Sequence, residues 1–192
     1  LVAEGLPGVS LAQTRSFIGN GAGVYVKRLE GAVADRHDPA RVERMRARFA
    51  AEYETAHALT RLYPGVEDAL ATLRADGWRF GLCTNKPIAP TRTVLAHFGW
   101  SDLFEQVIGG DSLPVHKPDP APLHAVIGAM GGGPVLYVGD SEVDAGTAQA
   151  ARVPFALFTQ GYRKTPVARI THDRAFDDWT EFPAVVRALM GG

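Results

Sequence analysis

Two aspartates follow an apolar run of strand length in the segment Val-Leu-Tyr-Val-Gly-Asp-Ser-Glu-Val-Asp, residues 135–144. In an open parallel sheet, ligands bind just beyond the carboxyl ends of the strands. A strand that delivers Asp140 and Asp144 to that edge could hold a hard cation such as Mg²⁺, which prefers carboxylate oxygens and water. The alternative is that both carboxylates stabilise the positive end of the following helix. This segment alone favours that simpler interpretation.

Two further polar clusters change the balance because they follow other predicted strands. Thr84-Asn-Lys86 ends the apolar run 79–84, and Lys117 lies in a loop, 116–120, beyond the short strand 105–108. Hydroxyl and amide donors, a compact ammonium group and metal-binding carboxylates suit phosphoryl transfer, in which positioning and charge neutralisation provide most of the catalysis. The three clusters together predict a site that processes a phosphoryl group.

Each cluster taken alone also has a purely structural explanation. Thr84 and Asn85 could close a turn after a strand. Lys117 could be a solvated lysine and His116 a loop histidine without a chemical role. Cys83 lies inside an apolar strand, where a thiol is expected to be buried and unreactive. The order of the clusters, at three strand ends of one chain, favours the functional interpretation.

Bulk composition limits the possible classes of function. The 192 residues are 46% hydrophobic and 21% charged, which is typical of a globular protein, and the net charge of −1 gives no reason to expect nucleic-acid binding. No apolar stretch is long enough to span a bilayer. The single cysteine excludes an internal disulfide and fits a reducing compartment. We therefore predict a cytoplasmic monomer or homodimer that binds neither nucleic acid nor membrane.

The elements that must position the clusters divide the chain in two. Residues 1–61 predict helices: Ser10 and Gln13 match a capping box, a glycine-rich stretch at 19–23 interrupts the first helical pattern, and Asp38 before Pro39 begins another. Apolar side chains then recur at helical spacing and are expected to form a core. These side chains are Val42, Met45, Phe49, Tyr53 and Ala56.

From residue 62 onward, helices and strands alternate. The predicted strands are 79–84, 105–108, 135–138 and 154–158, and the predicted helices are 64–77, 91–98, 119–130, 145–151 and 181–190. Such alternation implies right-handed crossovers and a parallel sheet. We predict an α/β fold with a Rossmann-like parallel sheet flanked by helices over residues 62–192, and a small all-helical cap over residues 1–61.

The polar motifs resemble those of the haloacid dehalogenase superfamily. Thr84-Asn-Lys86, Lys117-Pro118 and Gly139-Asp-Ser-x-x-Asp144 look like its second, third and fourth motifs. The flanking segments at 63–66, 82–87 and 109–123 are similar to the phosphoglycolate phosphatase branch. The resemblance implies an Mg²⁺-dependent phosphatase acting on a small phosphate ester, 2-phosphoglycolate above all.

The same resemblance implies a role for each matching residue. Thr84 and Asn85 would bind the transferring phosphoryl oxygens, and Lys117 would neutralise charge between nucleophile and phosphate. Asp140 would bind Mg²⁺, with Asp144 binding the metal through water or orienting its shell. The remaining substrate contacts would come from three polar residues, two of them on a cap that closes over the site: Lys86, Arg15 and Asn20.

One motif of the family is missing. Its first motif is an Asp-x-Asp on a strand before the cap, which supplies the nucleophile and a general acid and base, and this sequence contains no Asp-x-Asp. A natural pseudo-enzyme is one explanation. In this family, however, that strand is the central one, between the strands that end at Thr84 and Asp140. Its loss would leave the facing edges of those two strands without hydrogen-bond partners, which is costly when the edges are buried. We expect the native protein to have a preceding segment with this strand.

Several rival functions remain open. One is another hydrolase or mutase of the same fold, such as a sugar-phosphate phosphatase, a sugar-phosphate mutase or a metal-independent dehalogenase. The acidic pair Asp140 and Asp144 argues against the dehalogenase, which needs no metal. The other is a non-catalytic phosphate-binding protein, if the first motif is truly lacking. Mg²⁺ dependence of phosphate release from a generic aryl phosphate tests the first rival, and turnover and metal binding by the full-length protein test the second.

Overall fold

The computed structural model describes residues 1–19 and 21–191, so the predicted substrate contact Asn20 lies outside the described residues. The helices are α1 (Leu11–Phe17), α2 (Ala22–Val33), α3 (Pro39–Tyr53), α4 (Val66–Ala75), α5 (Ile88–His97), α6 (Ala121–Ala129), α7 (Glu142–Ala151) and α8 (Phe182–Met190). The strands are β1 (Gly81–Cys83), β2 (Gln106–Ile108), β3 (Tyr137–Gly139), β4 (Phe155–Phe158) and β5 (Arg174–Phe176).

The amino-terminal helices begin where the sequence predicts. Before α1, Ser10 Oγ accepts a hydrogen bond from the Gln13 N–H at 3.2 Å, and Gln13 Oε1 accepts one from the Ser10 N–H at 2.9 Å. This capping box satisfies donors that the helix itself leaves unpaired. Pro39 is the first residue of α3, and the carboxylate of Asp38 accepts from the Ala40 N–H at 2.9 Å. Both predicted helix starts are confirmed.

The amino-terminal helices bury an apolar cluster of their own, formed by Val26, Val42 and Met45. Tyr25 and Phe49 pack beside it, with ring centroids 5.2 Å apart. The predicted core face of α3 is confirmed as far as Phe49, whereas Tyr53 stacks on Phe49 outside the buried cluster. The prediction for Ala56 was wrong, because the chain leaves the helix after Tyr53 to reach α4 and Ala56 is exposed in the turn.

Glu30 is a buried carboxylate that is matched by donors from the start of α3. Its Oε2 lies 2.9 Å from His37 Nδ1, and its Oε1 accepts from the Asp38 N–H at 2.9 Å and from Arg41 Nη2 at 2.6 Å. These partners, His37 first, lower the pKa of Glu30 from 4.5 to about 2. The network therefore ties α3 to α2.

We expect Glu30→Gln to lower the melting temperature by several degrees at neutral pH, because Arg41 and His37 lose their anionic partner. Since folding depresses the pKa of Glu30, its stabilisation is present above pH 4.5 and is lost as the pH falls toward about 2. Thermal unfolding followed by circular dichroism should therefore show the variant and the wild type converging across that window.

The matched control is Glu43→Gln, which removes an exposed carboxylate that pairs with Arg46 at 3.0 Å on α3. Exposed pairs contribute little to stability, so this variant should melt with the wild type at every pH. If Glu30→Gln behaved like the control at neutral pH, the stabilising role of Glu30 would be refuted.

In the described part of the chain, every strand pair is parallel. β1 pairs with β2, and β4 lies between β3 and β5. Parallel strands with flanking helices confirm the predicted α/β class. Over residues 1–19 and 21–191 the strands form two separate ladders, β1-β2 and β3-β4-β5. β5 was not predicted, because Arg174-Ala-Phe is too short to show a pattern.

β4 lies at the centre of the core, and all four of its side chains are buried. Because side chains alternate along a strand, Ala156 and Phe158 pack with α4 and α8, whereas Phe155 and Leu157 pack with α6 and α7. Each large apolar side chain buried in this way stabilises the fold by about 1.5–3 kcal/mol. The strand ladder is thereby fixed between two helical layers.

The strands are shorter than predicted and one is displaced. β1 occupies Gly81–Cys83 within the predicted 79–84, and β3 is Tyr137–Gly139 rather than 135–138. The displacement brings Asp140 to the first position after β3.

None of the helices within residues 1–19 and 21–191 combines the length and apolar character needed to cross a membrane.

Candidate active site

A cavity of about 350 Å³ lies beyond the carboxyl ends of β1 and β3. The part of its wall that follows the strands includes six predicted site residues: Thr84, Asn85, Lys86, Lys117, Asp140 and Asp144. The opposite wall comes from the amino-terminal helices and includes Ile18, Gly19, Gly21, Ala22, Tyr25, Phe49 and Tyr53. The three polar clusters of the sequence therefore meet in one place, between the helices and the strand ends.

Of the two predicted substrate contacts from the amino-terminal helices, the structure describes only Arg15. Arg15 is exposed on α1 and does not line the cavity. Asn20 lies outside the described residues. Contacts between these two residues and a substrate stay predictions.

Lys117, Tyr137 and Asp144 form a buried polar triangle at the base of the cavity. Lys117 Nζ donates to Asp144 Oδ1 at 2.6 Å and to Tyr137 Oη at 3.0 Å, and Tyr137 Oη donates to Asp144 Oδ1 at 3.1 Å. Lys117 and Asp144 are only 9% and 5% exposed. Since an ammonium group has three N–H donors, one donor of Lys117 remains for a ligand.

The second oxygen of Asp144 is also engaged. Oδ2 accepts from the Asp140 N–H at 3.2 Å, from the Ser141 N–H at 3.1 Å and from Ser141 Oγ at 2.6 Å. The bond from the Ser141 N–H, together with one from the Asp144 N–H to Ser141 Oγ at 3.4 Å, forms the capping box that starts α7. Residue 139, at the end of β3, has to be a glycine, because a Cβ at this position would collide with the Asp144 side chain. Asp144 therefore fixes both the β3–α7 turn and Lys117.

The charges in this triangle determine the ionisation of its members. Burial opposes ionisation of Asp144, but Lys117 and the Ser141 hydroxyl outweigh it, so that the pKa of Asp144 lies below its usual value. Burial and the neighbouring Asp144 carboxylate raise the pKa of Tyr137 far above its usual value. Tyr137 therefore stays protonated and remains a donor to Asp144.

Asp140 differs from Asp144 because most of its carboxylate is available. Its Oδ2 accepts from the Tyr162 N–H at 2.6 Å, and no further residue of the ranges 1–19 and 21–191 donates to it. Gly161 packs against this carboxylate so closely that a Cβ would collide with it. Burial raises the pKa of Asp140, and the neighbouring Asp144 carboxylate adds to that shift.

The turn after β1 uses its side chains on its own backbone and on neighbouring loops. Thr84 Oγ1 accepts from the Lys86 N–H at 3.1 Å, which is the turn that the sequence left as an alternative. Asn85 Oδ1 accepts from the Lys117 N–H at 2.9 Å, and Asn85 Nδ2 donates to the Lys117 carbonyl at 3.0 Å and the Gly19 carbonyl at 3.2 Å. Asn85 thus connects three segments of the cavity wall. Among the described residues, no group accepts the Thr84 hydroxyl proton, so that Thr84 can donate it to a ligand.

A sequence model of haloacid dehalogenase-like hydrolases matches residues 2–152. This chain belongs to that family. A phosphoglycolate phosphatase of Cereibacter sphaeroides is 49% identical over 191 residues, which cover 99% of this chain and 88% of that protein. One from Rhodobacter capsulatus is 40% identical over 186 residues, covering 97% and 85%. The predicted family is confirmed.

A solved structure shares the fold of this haloacid dehalogenase-like hydrolase. The crystal structure of a predicted phosphoglycolate phosphatase from Haemophilus somnus has a TM-score of 0.91 at 31% identity, over 97% of this chain and 86% of that one. The similarity covers both the amino-terminal helices and the strand ladders.

The donor set of the hydrolase fits a magnesium ion in part. Among the described residues, no group of three or more His, Cys, Asp and Glu side chains could enclose a metal. Mg²⁺ does not require one, because it is commonly held by one or two carboxylates together with water and substrate phosphate. Asp140 offers such a carboxylate, whereas both oxygens of Asp144 are already hydrogen-bonded to the protein.

Sequence reasoning missed several residues of the hydrolase site. Tyr137 was part of an apolar strand pattern, and Tyr53 part of a helical core pattern. Gly161 and Tyr162 lie in a loop far along the chain, and no motif of the sequence marks them. The only signal for the loop is its position after β4, since the loops after parallel strands lie at the ligand-binding edge.

Proposed function

We propose that this hydrolase is an Mg²⁺-dependent phosphatase of small phosphate monoesters, acting above all on 2-phosphoglycolate to give glycolate and phosphate. The observation that carries the proposal is the meeting of Thr84, Lys117 and Asp140 in one cavity of about 350 Å³, a size that suits a small molecule. The relatives that are named phosphoglycolate phosphatase, at 49% and 40% identity, support the choice of substrate.

The residues of the chain act on the phosphoryl group by position and charge. Lys117 is held by Asp144 and Tyr137, so its third N–H can bind a phosphoryl oxygen without reorganising the site. Such preorganised charges stabilise a transition state more than mobile ones do. The Thr84 hydroxyl would donate to a second phosphoryl oxygen. Asp144 acts indirectly, by orienting Lys117.

Asp140 would hold Mg²⁺, since it is the carboxylate of the cavity with an oxygen left for a ligand. The bound ion would supply further neutralisation of the negative charge on the phosphoryl oxygens. The Tyr162 N–H and Gly161 would keep the carboxylate oriented toward the cavity.

We place the nucleophile of an aspartyl-phosphate pathway on a segment upstream of Leu1, since the sequence contains no Asp-x-Asp. The separation of the two ladders supports this placement: β1 and β3 lead into the same cavity, yet they do not pair within residues 1–19 and 21–191. A strand between them would satisfy both edges and would end beside Thr84 and Asp140. Amino-terminal sequencing of the protein purified from its native cells tests this placement.

Helices α1–α3, within residues 1–61, would act as a cap. Their side chains form the wall of the cavity that faces Asp140 and Lys117. The apolar cluster of Val26, Val42 and Met45 gives these helices a rigid core separate from that of the strands. A wall of this kind excludes water from a reacting phosphoryl group.

Phosphate release by the full-length native protein tests the function. We expect release from 2-phosphoglycolate that stops when EDTA removes Mg²⁺ and returns when Mg²⁺ is added. Halide release without metal would instead indicate a dehalogenase, and isomerisation without free phosphate a mutase. Binding of phosphate with no turnover of any ester would identify a non-catalytic phosphate-binding protein.

A further inference from the structure

Lys86 places a positive charge in the cavity without an anionic partner. Its Nζ donates to Tyr53 Oη at 2.7 Å and lies 3.9 Å from the centroid of the Tyr53 ring. No carboxylate of residues 1–19 and 21–191 forms an ion pair with it. Lys117, the other lysine of the cavity, is paired with Asp144 at 2.6 Å. The two lysines therefore have different tasks.

The pair formed by Lys86 and Tyr53 has unused donors for an anion. Lys86 uses one of its three N–H donors for the hydrogen bond to the Tyr53 oxygen, so that two donors remain for a ligand. Because Tyr53 accepts that bond through its oxygen, its own hydroxyl proton remains available. Half-buried charges that face a cavity are stabilised when an anion binds between such donors. The pair is thus suited to a carboxylate.

The backbone fixes Lys86 close to the residues that would bind phosphate. The Lys86 N–H donates to Thr84 Oγ1 at 3.1 Å, so that both residues belong to one tight turn after β1. Both residues line the cavity, and Tyr53 approaches from α3 on the opposite wall. A short substrate can therefore reach the phosphoryl-binding groups and the Lys86–Tyr53 pair together.

We propose that Lys86 and Tyr53 form the subsite that binds the carboxylate of the substrate, so that the enzyme selects phosphate esters of short hydroxy acids. This inference rests on the proposed phosphatase function. Lys86 would determine specificity by charge, and Tyr53 would add a hydrogen bond from the helical wall that closes over the substrate.

The test compares 2-phosphoglycolate with ethyl phosphate, in which a methyl group replaces the carboxylate, on the full-length enzyme. For Lys86→Met we expect kcat/KM on 2-phosphoglycolate to fall about 10- to 100-fold, mostly through KM, because a charged hydrogen bond is lost. For Tyr53→Phe we expect a fall of about 3- to 10-fold, because one neutral donor is lost. On ethyl phosphate, which lacks the carboxylate, both changes should lower kcat/KM much less than on 2-phosphoglycolate.

The matched control is Lys27→Met, which removes an exposed lysine of α2 that does not line the cavity. It should leave both substrates unaffected. Equal losses on the two substrates in Lys86→Met or in Tyr53→Phe would overturn the carboxylate subsite while leaving the phosphatase function intact. Equal kcat/KM on the two substrates in the wild type would overturn it as well. A wild type that releases phosphate from neither ester would refute the proposed function itself.

Discussion

Asp140→Asn is expected to lower Mg²⁺-dependent phosphate release by about 1000-fold or more, because a catalytic metal contributes several kcal/mol of transition-state stabilisation. The substitution keeps the volume of the side chain and the oxygen that accepts from the Tyr162 N–H. It removes the charge of a cavity carboxylate that has an oxygen available for a ligand. The fold should therefore persist, while the affinity for Mg²⁺ is lost. Turnover, calorimetric titration with Mg²⁺ and thermal unfolding measure these three quantities separately.

Two further variants separate the metal site from general effects. Asp102→Asn changes an exposed aspartate outside the cavity and should behave as the wild type does. Gly161→Ala keeps the aspartate at position 140 but adds a Cβ that collides with its carboxylate and should displace it. It should weaken Mg²⁺ binding and turnover together, although no ligand has been removed. Near-normal Mg²⁺-dependent turnover in Asp140→Asn would refute the role assigned to Asp140.

The assembly of the site could be predicted from the sequence because it follows from topology. Helices that alternate with strands require parallel pairing, and parallel pairing brings the carboxyl ends of the strands to one edge. Thr84, Lys117 and Asp140 each follow a strand, so their convergence did not depend on side-chain details. For the same reason, errors of one or two residues in the predicted strand bounds did not affect the prediction that these residues converge.

The partners of individual side chains could not be predicted in this way. Asn85 binds the backbone of Lys117, which lies 32 residues further along the chain, and nothing local indicates that bond. Tyr53 lies on the apolar face of α3, and helical spacing cannot distinguish a core aromatic from one that reaches a cavity. Its contact with Lys86 depends on how α3 rests against the turn after β1. The packing of distant segments against each other therefore determines the partners of Asn85 and Tyr53, which sequence periodicity cannot predict.

Lys117→Met is expected to reduce both activity and stability. Loss of the preorganised ammonium group should lower kcat by about 100- to 1000-fold, as does removal of one donor to a transition-state charge in other enzymes. Asp144, which is 5% exposed, would keep its charge without a cation beside it. Breaking a buried pair from one side costs about 3–5 kcal/mol. Turnover and urea-induced unfolding measure the two losses.

A double variant distinguishes the structural role of Lys117 from the catalytic one. Adding Asp144→Asn to Lys117→Met removes the buried charge, yet it keeps an oxygen to accept from the Ser141 N–H and hydroxyl. The unfolding free energy should then recover in part, because no charge is left unpaired, while the activity should stay low. This non-additivity is expected of residues in direct contact, and Lys117 and Asp144 are 2.6 Å apart. If the double variant were less stable than Lys117→Met by the full cost of Asp144→Asn alone, the two groups would be energetically independent. Lys117 would then have to be held in the cavity by something other than Asp144, and the orienting role of that carboxylate would be lost.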